Sequence, residues 1–353
     1  MNDLEKRISK EYKTKYAYFT GNATTALYLL FKSLNMQNKK ILFPDITCMT
    51  PVNAAVYAGY EPVFCDVNRH DFTMNIQSLK DIIINENVGI VVPTHIYGHM
   101  CNMKEIYKVC KNNHVIVVED CAQTVNISQY NDYAVTSFGH TKIFETQVGG
   151  GVLFYKEQQL KDKLNQYLNG LNNINDKSLS ENYSREYYRI VKTLSGQKYY
   201  DEMRKLQYNS HDVFLGHFKE NNELFEILDN KKNIIKDRNK RAELYLNNLD
   251  KDYFEIPNIT IDEEYPLWRM TVLVKNIDRD RFVEEVRKNN IDISTWYPQL
   301  HKFYCKQDDD KFKNSLYISK NLINLWIVQQ YSLEKIKNDI YIINKIAKNM
   351  SFR

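Results

Sequence analysis

A carboxylate and a lysine lie close together in this sequence, each shortly after an apolar run. The run Val115–Val118 is followed by Glu119 and Asp120, and Ser137 is followed five residues later by Lys142. A lysine amine attacks an aldehyde once it has lost its proton, and burial or a nearby positive charge lowers its pKa. A carboxylate at a strand end can keep a pyridine nitrogen protonated. Together these groups suit pyridoxal 5′-phosphate (PLP), which is held as a Schiff base on a lysine.

Neither residue indicates this chemistry by itself. A lysine near glycines such as Gly149–Gly151 is usually a surface residue. An aspartate after a strand is as often a turn residue or helix cap. Glu119 would point away from Asp120 in a regular strand, which makes it the weaker candidate. The spacing from Asp120 to Lys142 therefore carries the hypothesis.

A segment of small residues near the start could bind a phosphate. Phe19–Leu27 is predicted to be a loop that leads into a helix. Small side chains such as Ala23 and Thr24 would let backbone N–H groups approach an anion at the helix N-terminus. An ordinary threonine N-cap would give the same pattern. Ser137 could add a hydroxyl to the phosphate, and Gln123 could contact the cofactor ring.

Other polar residues could contact a ligand. His95 and Tyr97 follow an apolar strand, although a core histidine explains His95 equally well. His99 and Cys101 lack partners at metal-ligand spacing, and His140 has no accompanying Gly-x-Ser-x-Gly motif. The sequence therefore predicts neither a metal site nor a serine hydrolase. Aromatic and cationic residues of the second half are interpreted as core and hinge residues, namely Trp268, Arg269 and Trp296.

Length and composition indicate a globular chain of two domains. Its 353 residues are 43% hydrophobic and 13% aromatic, with a net charge of +4. Because the lysines and arginines are scattered, we expect neither nucleic-acid binding nor a membrane patch. The sequence shows no signal peptide or membrane span, and its six cysteines form no CxxC pair. We therefore expect reduced cysteines and a cytoplasmic protein.

Apolar periodicity predicts an α/β fold in the first half. Helical spacing separates the strand-like runs, as in Ala26–Leu34, Ile76–Ile84 and Lys104–Cys110. Helices between short strands imply a mostly parallel sheet covered on both faces. Ligands bind at the C-terminal ends of such strands, where Asp120 is expected. The predicted strands are Lys40–Phe43, Pro62–Val67, Gly89–Pro93, Val115–Asp120, Ala134–Phe138 and Gly151–Tyr155.

The second half predicts a smaller α+β domain. Leu160–Ser210 is rich in tyrosine without a clear period, so irregular helices and loops are expected there. A long charged helix is expected over residues 219–249, broken near Asn230. The predicted domains are residues 1–237, which would bind PLP, and 238–353. The elements expected in the second domain are a strand at Trp268–Val274, a helix at Arg279–Lys288 and a final helix capped by Ser332.

Taken in order, these motifs resemble the sugar-nucleotide aminotransferases of the DegT/DnrJ/EryC1/StrS family. That resemblance implies the fold-type I architecture of PLP enzymes. It runs nearly end to end and is strongest over residues 15–155. The segments similar to family motifs are Asn22–Leu27, Pro93–Gly98, Val118–Gln123, Asp132–Lys142 and Trp296–His301.

The resemblance implies a role for each matching residue. Lys142 would hold the cofactor and then move the proton during transfer. Asp120 would bind the pyridine nitrogen and Gln123 the ring hydroxyl. The phosphate would be bound by Ala23, Thr24 and Ser137.

Some positions depart from the family pattern. Cys48 stands where an aromatic residue usually stacks on the cofactor, and Val148 replaces the usual acidic residue before the glycines. The segment Gln207–Ser210 is the nearest match to one that supplies an asparagine to the partner chain, which makes Asn209 the candidate. The region Leu160–Ser210 is longer than expected. Substrate contacts are expected from His95, Tyr97, Tyr297 and His301.

The implied function is transfer of an amino group from glutamate to a nucleotide-linked keto sugar. The implied mechanism is ping-pong, in a homodimer whose sites are built from both chains. One alternative is transamination of another small keto substrate, which the unusual central segment Leu160–Ser210 would permit. Another is a noncatalytic relative that binds a sugar nucleotide. Dehydration of a deoxysugar ranks low, because relatives that do this have a histidine in place of the lysine found here at Lys142.

Overall fold

Seven strands form a central sheet in the computed structural model, which describes residues 1–171, 177–217, 221–262, 264–305 and 307–351. The strand order is β1-β7-β6-β5-β4-β2-β3. Strand β7 runs antiparallel to both neighbours, and the other pairs are parallel. The strands are β1 Tyr16–Thr20, β2 Lys40–Pro44, β3 Glu61–Cys65, β4 Val88–Val91, β5 Ile116–Asp120, β6 Tyr133–Ser137 and β7 Gly151–Tyr155.

Five helices accompany these strands through β5. Asparagine caps four of them, because its side-chain oxygen accepts an N–H group of the first turn. The helices are α1 Asp3–Glu11, α2 Ala23–Leu34, α3 Met49–Tyr57, α4 Ile76–Asn85 and α5 Met103–Asn112. All six predicted strands and the three predicted helices of this half are confirmed, as is the α/β class.

Strand β1 corrects the expectation of a loop over Phe19–Leu27. Residues 16–20 form the strand and α2 begins at Ala23, so only Gly21 and Asn22 lie between them. The strand pairs with β7, which lies far along the sequence. A short run without alternation, paired at long range, leaves little local signal.

The middle of the chain is more regular than its sequence predicts. Where irregular helices and loops are expected, the structure has the regular helices α6 Leu160–Leu168, α7 Lys177–Thr193 and α8 Gly196–Tyr208. Residues 172–176 lie outside the described part. The tyrosines of α7 obscure its apolar period, because each ring has both an apolar and a polar part. The expected break at Asn230 is confirmed between α10 Glu223–Asp229 and α11 Lys231–Asn248, after the short α9 His211–Phe214. Residues 218–220 lie outside the described part.

A three-stranded antiparallel sheet organises the second half, in the order β10-β9-β8. The predicted strand and helices are confirmed, and Ser332 caps the final helix by accepting the Lys335 N–H at 3.0 Å. The boundary predicted after residue 237 lies within α11, and the domain division stays a prediction. The elements are β8 Phe254–Glu255, β9 Met270–Val274, α12 Arg279–Lys288, α13 His301–Tyr304, α14 Lys313–Asn321, β10 Leu322–Leu325 and α15 Leu333–Ser351.

The core of the first half lies between the sheet and its helices. Phe43, Val118 and Leu153, from three strands, pack in one buried cluster with Leu30 and Phe31 of α2. The sheet therefore provides a rigid, packed frame for groups at its edge.

All six cysteines are free of disulfide bonds, and four are buried. Within the described ranges, no helix combines the length and apolar character needed to cross a membrane.

Candidate active site

Five chain segments meet at one edge of the central sheet. Asn22, just after β1, bridges to Gly150 beside β7, and Gly151 pairs with Ser137 at the end of β6. Asp120 ends β5, pairs with β6 and bridges to Thr94 beyond β4. Because the parallel strands end at the same edge, the predicted phosphate group and the predicted acid are neighbours in space.

Gly151 allows the loop before α2 to approach the sheet. A Cβ atom at this position would lie 2.2 Å from the backbone nitrogen of Ala23 and 2.2 Å from the carbonyl carbon of Asn22, so only glycine fits. The side chain of Asn22 caps the helix, and Ala23 and Thr24 are its first two residues. First-turn N–H groups have no acceptor within the helix. They form a cradle suited to a phosphate.

Asp120 is a buried carboxylate with few partners. Its side chain is at the end of a strand in a residue only 2% exposed. One oxygen accepts the N–H of Ala122 at 3.0 Å, and the other accepts the Thr94 hydroxyl at 3.4 Å. Burial raises the pKa of Asp120, although the Ala122 N–H and the charge of Lys142 oppose this. A cation placed beside this carboxylate would stabilise its charged form.

Lys142 lies in a tight turn after β6 and close to a tryptophan. Its N–H donates to Gly139 at 3.1 Å, and Trp268 Nε1 donates to the carbonyl of Thr141 at 2.6 Å. The Lys142 Nζ lies 5.3 Å from the centre of the Trp268 ring. Burial lowers the pKa of Lys142, and the attraction of Asp120 opposes this shift. The turn therefore holds an amine that loses its proton more readily than an exposed lysine.

Gln123 joins two tyrosines at this site. Its Oε1 accepts the Tyr97 N–H at 2.7 Å, and its Nε2 donates to the Tyr297 hydroxyl at 3.2 Å. The rings of Tyr97 and Tyr297 are near parallel at 5.8 Å, and that of Trp268 is near parallel to both. Tyr97 also donates its hydroxyl to the carbonyl of Trp296 at 2.7 Å. An aromatic wall thus stands next to Lys142.

The two predicted substrate histidines already have partners. The Nδ1 of His95 accepts the Cys101 N–H at 3.1 Å, so the ring proton is on Nε2. This Nε2–H donates to Glu119 at 2.8 Å. The side chains of His95, Glu119 and Cys121 approach within 4.8 Å, a spacing that metal ligands can also adopt. His301 has a carboxylate at each ring nitrogen, Asp45 and Asp309, both at 2.8 Å. Substrate roles for both histidines stay predictions.

Cys48 and Asn209 differ in exposure. Cys48 is the N-cap residue of α3 and is half-buried, and its side chain is near enough to Lys142 and Tyr297 that a thiolate there would raise the pKa of both. Asn209 is exposed at the end of α8. A contribution of Asn209 to a partner's site stays a prediction.

Thr94, Trp268 and Arg269 belong to the site but are missed or assigned to the core by sequence reasoning. Thr94 stands next to His95 in a segment that resembles the family, which is a signal that could have indicated it. The contact of Trp268 with the turn of Lys142 joins residues far apart in sequence, so no local pattern reveals it.

A cavity of about 960 Å³ lies elsewhere and includes none of the predicted site residues; it is lined by Tyr12, Val125, Phe154 and several lysines.

Known proteins are similar to this chain in sequence and in fold. The match to GDP-perosamine synthase of Escherichia coli O157:H7 is 28% identical and covers 45% of this chain and 46% of that protein, so it spans less than half of that relative. The dTDP-3-amino-3,6-dideoxy-alpha-D-galactopyranose transaminase of Aneurinibacillus thermoaerophilus is 23% identical over 98% of this chain and 89% of that protein. The structure of NtdA from Bacillus subtilis, with the cofactor PMP bound, has a TM-score of 0.72 at 17% identity and covers 98% of this chain and 76% of that one.

The fold and the site together define a PLP-dependent aminotransferase of the α/β class. The chain belongs to the DegT/DnrJ/EryC1/StrS aminotransferase family, whose model matches residues 1–199 and 224–346. The site fits this cofactor. Asp120 is a buried carboxylate that lacks a cation at hydrogen-bonding distance among the described residues, and the cradle at Gly151 would receive the phosphate.

Proposed function

We propose that this protein transfers an amino group from glutamate to a keto sugar linked to a nucleotide, in two half-reactions that share Lys142. The observation that carries this proposal is the position of Lys142, with its lowered pKa, at the same sheet edge as buried Asp120. Family membership and the sugar-nucleotide substrates in the names of its relatives support the choice of acceptor.

The residues of this chain have separate tasks in the proposal. PLP, when bound, supplies the carbonyl group and the electron-withdrawing ring. The first turn of α2 and Ser137 bind the phosphate, and Asp120 holds a proton on the ring nitrogen. Gln123 reaches the ring hydroxyl. Lys142 would hold the cofactor through its Nζ, and the same amine would move a proton between the donor carbon and the cofactor.

The proposed assembly is a homodimer in the cytoplasm. Sites built from both chains would explain why the described residues leave Asn209 exposed instead of at the phosphate cradle. Cys48 would face the cofactor, and Tyr97, Tyr297, His95 and His301 would contribute to the substrate side or support it. The separation of donor and acceptor into two steps requires that one site accept both ligands in turn.

An absorbance experiment tests the proposal. The protein is purified with PLP, its visible band is recorded, and glutamate is added, followed by a panel of nucleotide-linked keto sugars. We expect glutamate to remove the band and one keto sugar to restore it with formation of an aminosugar. Lys142→Ala should lose both changes while circular dichroism shows an unchanged fold.

Other outcomes identify the alternatives. Restoration of the band by a small keto acid or phosphorylated ketone, but by no sugar nucleotide, would indicate another acceptor. A folded protein that takes up no PLP would be a noncatalytic binding relative and would refute the proposal. Normal turnover by Lys142→Ala would also refute it.

A further inference from the structure

Arg269 is a buried cation with an unused hydrogen-bond donor. The residue is 5% exposed, and its Nη1 has no hydrogen-bond partner within the described ranges. Its guanidinium stacks on Trp326, with Cζ 3.1 Å from the ring centre, and lies 4.6 Å from the ring centre of Trp268. The Nε1 of Trp326 is likewise buried without an acceptor. Two residues in contact thus each have a buried N–H donor without an acceptor, and both donors could bond to an oxygen-bearing ligand, since buried donors are rarely unpaired.

A neighbouring buried arginine, Arg238, differs from Arg269 because its guanidinium has hydrogen-bond acceptors. Arg238 is also buried, but its Nε and Nη2 donate to the carbonyls of Leu267 at 3.2 Å and Trp268 at 2.5 Å. Burial, followed by the charge of Arg238, lowers the pKa of Arg269 to about 9. The charges of Tyr297 and Asp292 oppose this shift, but among the described residues Arg269 makes no ion pair. A buried guanidinium without a paired anion is costly, and a bound anion would offset that cost.

The position of Arg269 selects the kind of anion. Its guanidinium and the Lys142 ammonium both lie against the Trp268 ring, at 4.6 and 5.3 Å from the ring centre. In an amino acid, the amine and the α-carboxylate are attached to the same carbon atom. The diphosphate of a sugar nucleotide is separated from a 3- or 4-keto carbon by part of the sugar ring. The cofactor phosphate has its own cradle at α2. Of these three anionic groups, only the α-carboxylate of the donor would lie next to the reacting nitrogen. It is therefore the anion that suits Arg269.

We propose that Arg269 binds the α-carboxylate of the amino-acid donor, with Trp326 Nε1 as a second donor, an inference that rests on the proposed transamination. Arginine suits this task because its planar fork matches a carboxylate. Arg269 is a binding residue here, and the proton transfers remain with Lys142.

The test uses the PLP-loaded enzyme and 2-oxoglutarate, which carries the same carboxylates as glutamate but cannot react with that form. Calorimetric titration should show a Kd raised about 10- to 100-fold in Arg269→Gln, the loss expected for a charge-assisted hydrogen bond. Arg269→Lys should be intermediate, and Trp326→Phe should weaken binding less than Arg269→Gln. Arg281→Gln, on the exposed face of α12, is the matched control and should leave the Kd unchanged.

A second measurement locates the carboxylate. Arg269→Gln should slow the loss of the visible band with glutamate but not with 4-aminobutyrate, which lacks an α-carboxylate. Melting curves establish that each variant is folded, and Arg269→Lys and Trp326→Phe carry the test if Arg269→Gln does not fold.

Three results would overturn the inference: wild-type protein that binds no 2-oxoglutarate, an unchanged Kd in folded Arg269 variants, or a Kd raised for UDP instead. A different result would refute only the proposed function. If 2-oxoglutarate binds in an Arg269-dependent way while glutamate leaves the visible band unchanged, the carboxylate site stands and the donor reaction does not.

Discussion

Burial at the same site shifts the pKa values of Asp120 and Lys142 in opposite directions, because the two groups have opposite charges. Loss of water raises the pKa of Asp120 and lowers that of Lys142, because both charged forms are less stable in the interior. The attraction between the two charges opposes both shifts. A cofactor ring placed between them would satisfy the carboxylate directly and leave the amine free to react. This coupling is the reason that the pair, and not either residue alone, defines the site.

His301 should make stability depend on pH. Burial opposes its charged form, but hydrogen bonds and charge from Asp45 and Asp309 outweigh this and raise its pKa. Because the folded-state pKa lies above the unfolded value of about 6.5, the stabilisation is fully present below that pH. It is lost as the pH rises through the higher folded-state pKa. We expect His301→Asn to lower the free energy of unfolding by about 1–3 kcal/mol near pH 5.

Urea unfolding of both proteins between about pH 5 and 9 measures this difference. The difference in free energy of unfolding between wild type and His301→Asn should become smaller as the pH rises. His70→Asn is the control, because the His70 side chain is 61% exposed. A gap for His301→Asn that is constant over the whole range would show that packing on Phe312, 4.0 Å away, is the whole contribution.

At the scale of elements, the contact between the loop before α2 and the start of β7 should depend on one glycine. Gly151→Ala would place a methyl group 2.2 Å from two backbone atoms, which cannot rotate away. We expect the loop to shift, with a loss of about 1–3 kcal/mol in stability and weaker PLP binding. Gly170→Ala is the matched control, because its Cβ would meet only the Tyr167 carbonyl at 3.6 Å.

Fluorescence titration with PLP and thermal melts measure both effects. A Gly151→Ala protein that binds PLP as tightly as wild type would show that the cradle does not hold the phosphate. Lower stability without weaker binding would have the same meaning.

Local pattern predicts elements well where the sequence has a continuous apolar run or a clear helical period. Strands β2 to β7 have such runs, and α12 has the predicted bounds. Strand β1 and helix α7 lack such a signal. Strand β1 is determined by its pairing with the distant β7, and the tyrosines of α7 obscure its apolar period. The same division applies to the site. Motif order places Asp120 and Lys142 together, but the contact of Trp268 with Thr141 and the empty donor of Arg269 arise only from tertiary packing.

The whole molecule is proposed to work as a dimer, and its architecture suggests where a partner would contribute. Helices α7 and α8 pack over α3 through buried Gln207, which accepts from Asn53 at 2.7 Å and donates to Tyr183 at 2.9 Å. These helices present Asn209 at their exposed end. An asparagine that serves a neighbouring subunit must be exposed in the isolated chain. If the proposed homodimer forms, light scattering should give twice the chain mass of 42.0 kDa.

Mixing two inactive variants tests whether Asn209 acts in the partner's site. Lys142→Ala keeps its own Asn209, and Asn209→Ala keeps its own Lys142. If the asparagine acts across the interface, each mixed dimer has one site with both residues intact and one site with neither. Subunit exchange at equal concentrations should then restore roughly a quarter of wild-type activity per subunit, since about half of the dimers are mixed and half of their sites are complete. If Asn209 acts within its own chain, no site in the mixed dimer contains both residues and activity stays at the level of the separate variants. Each variant mixed with itself is the control for exchange.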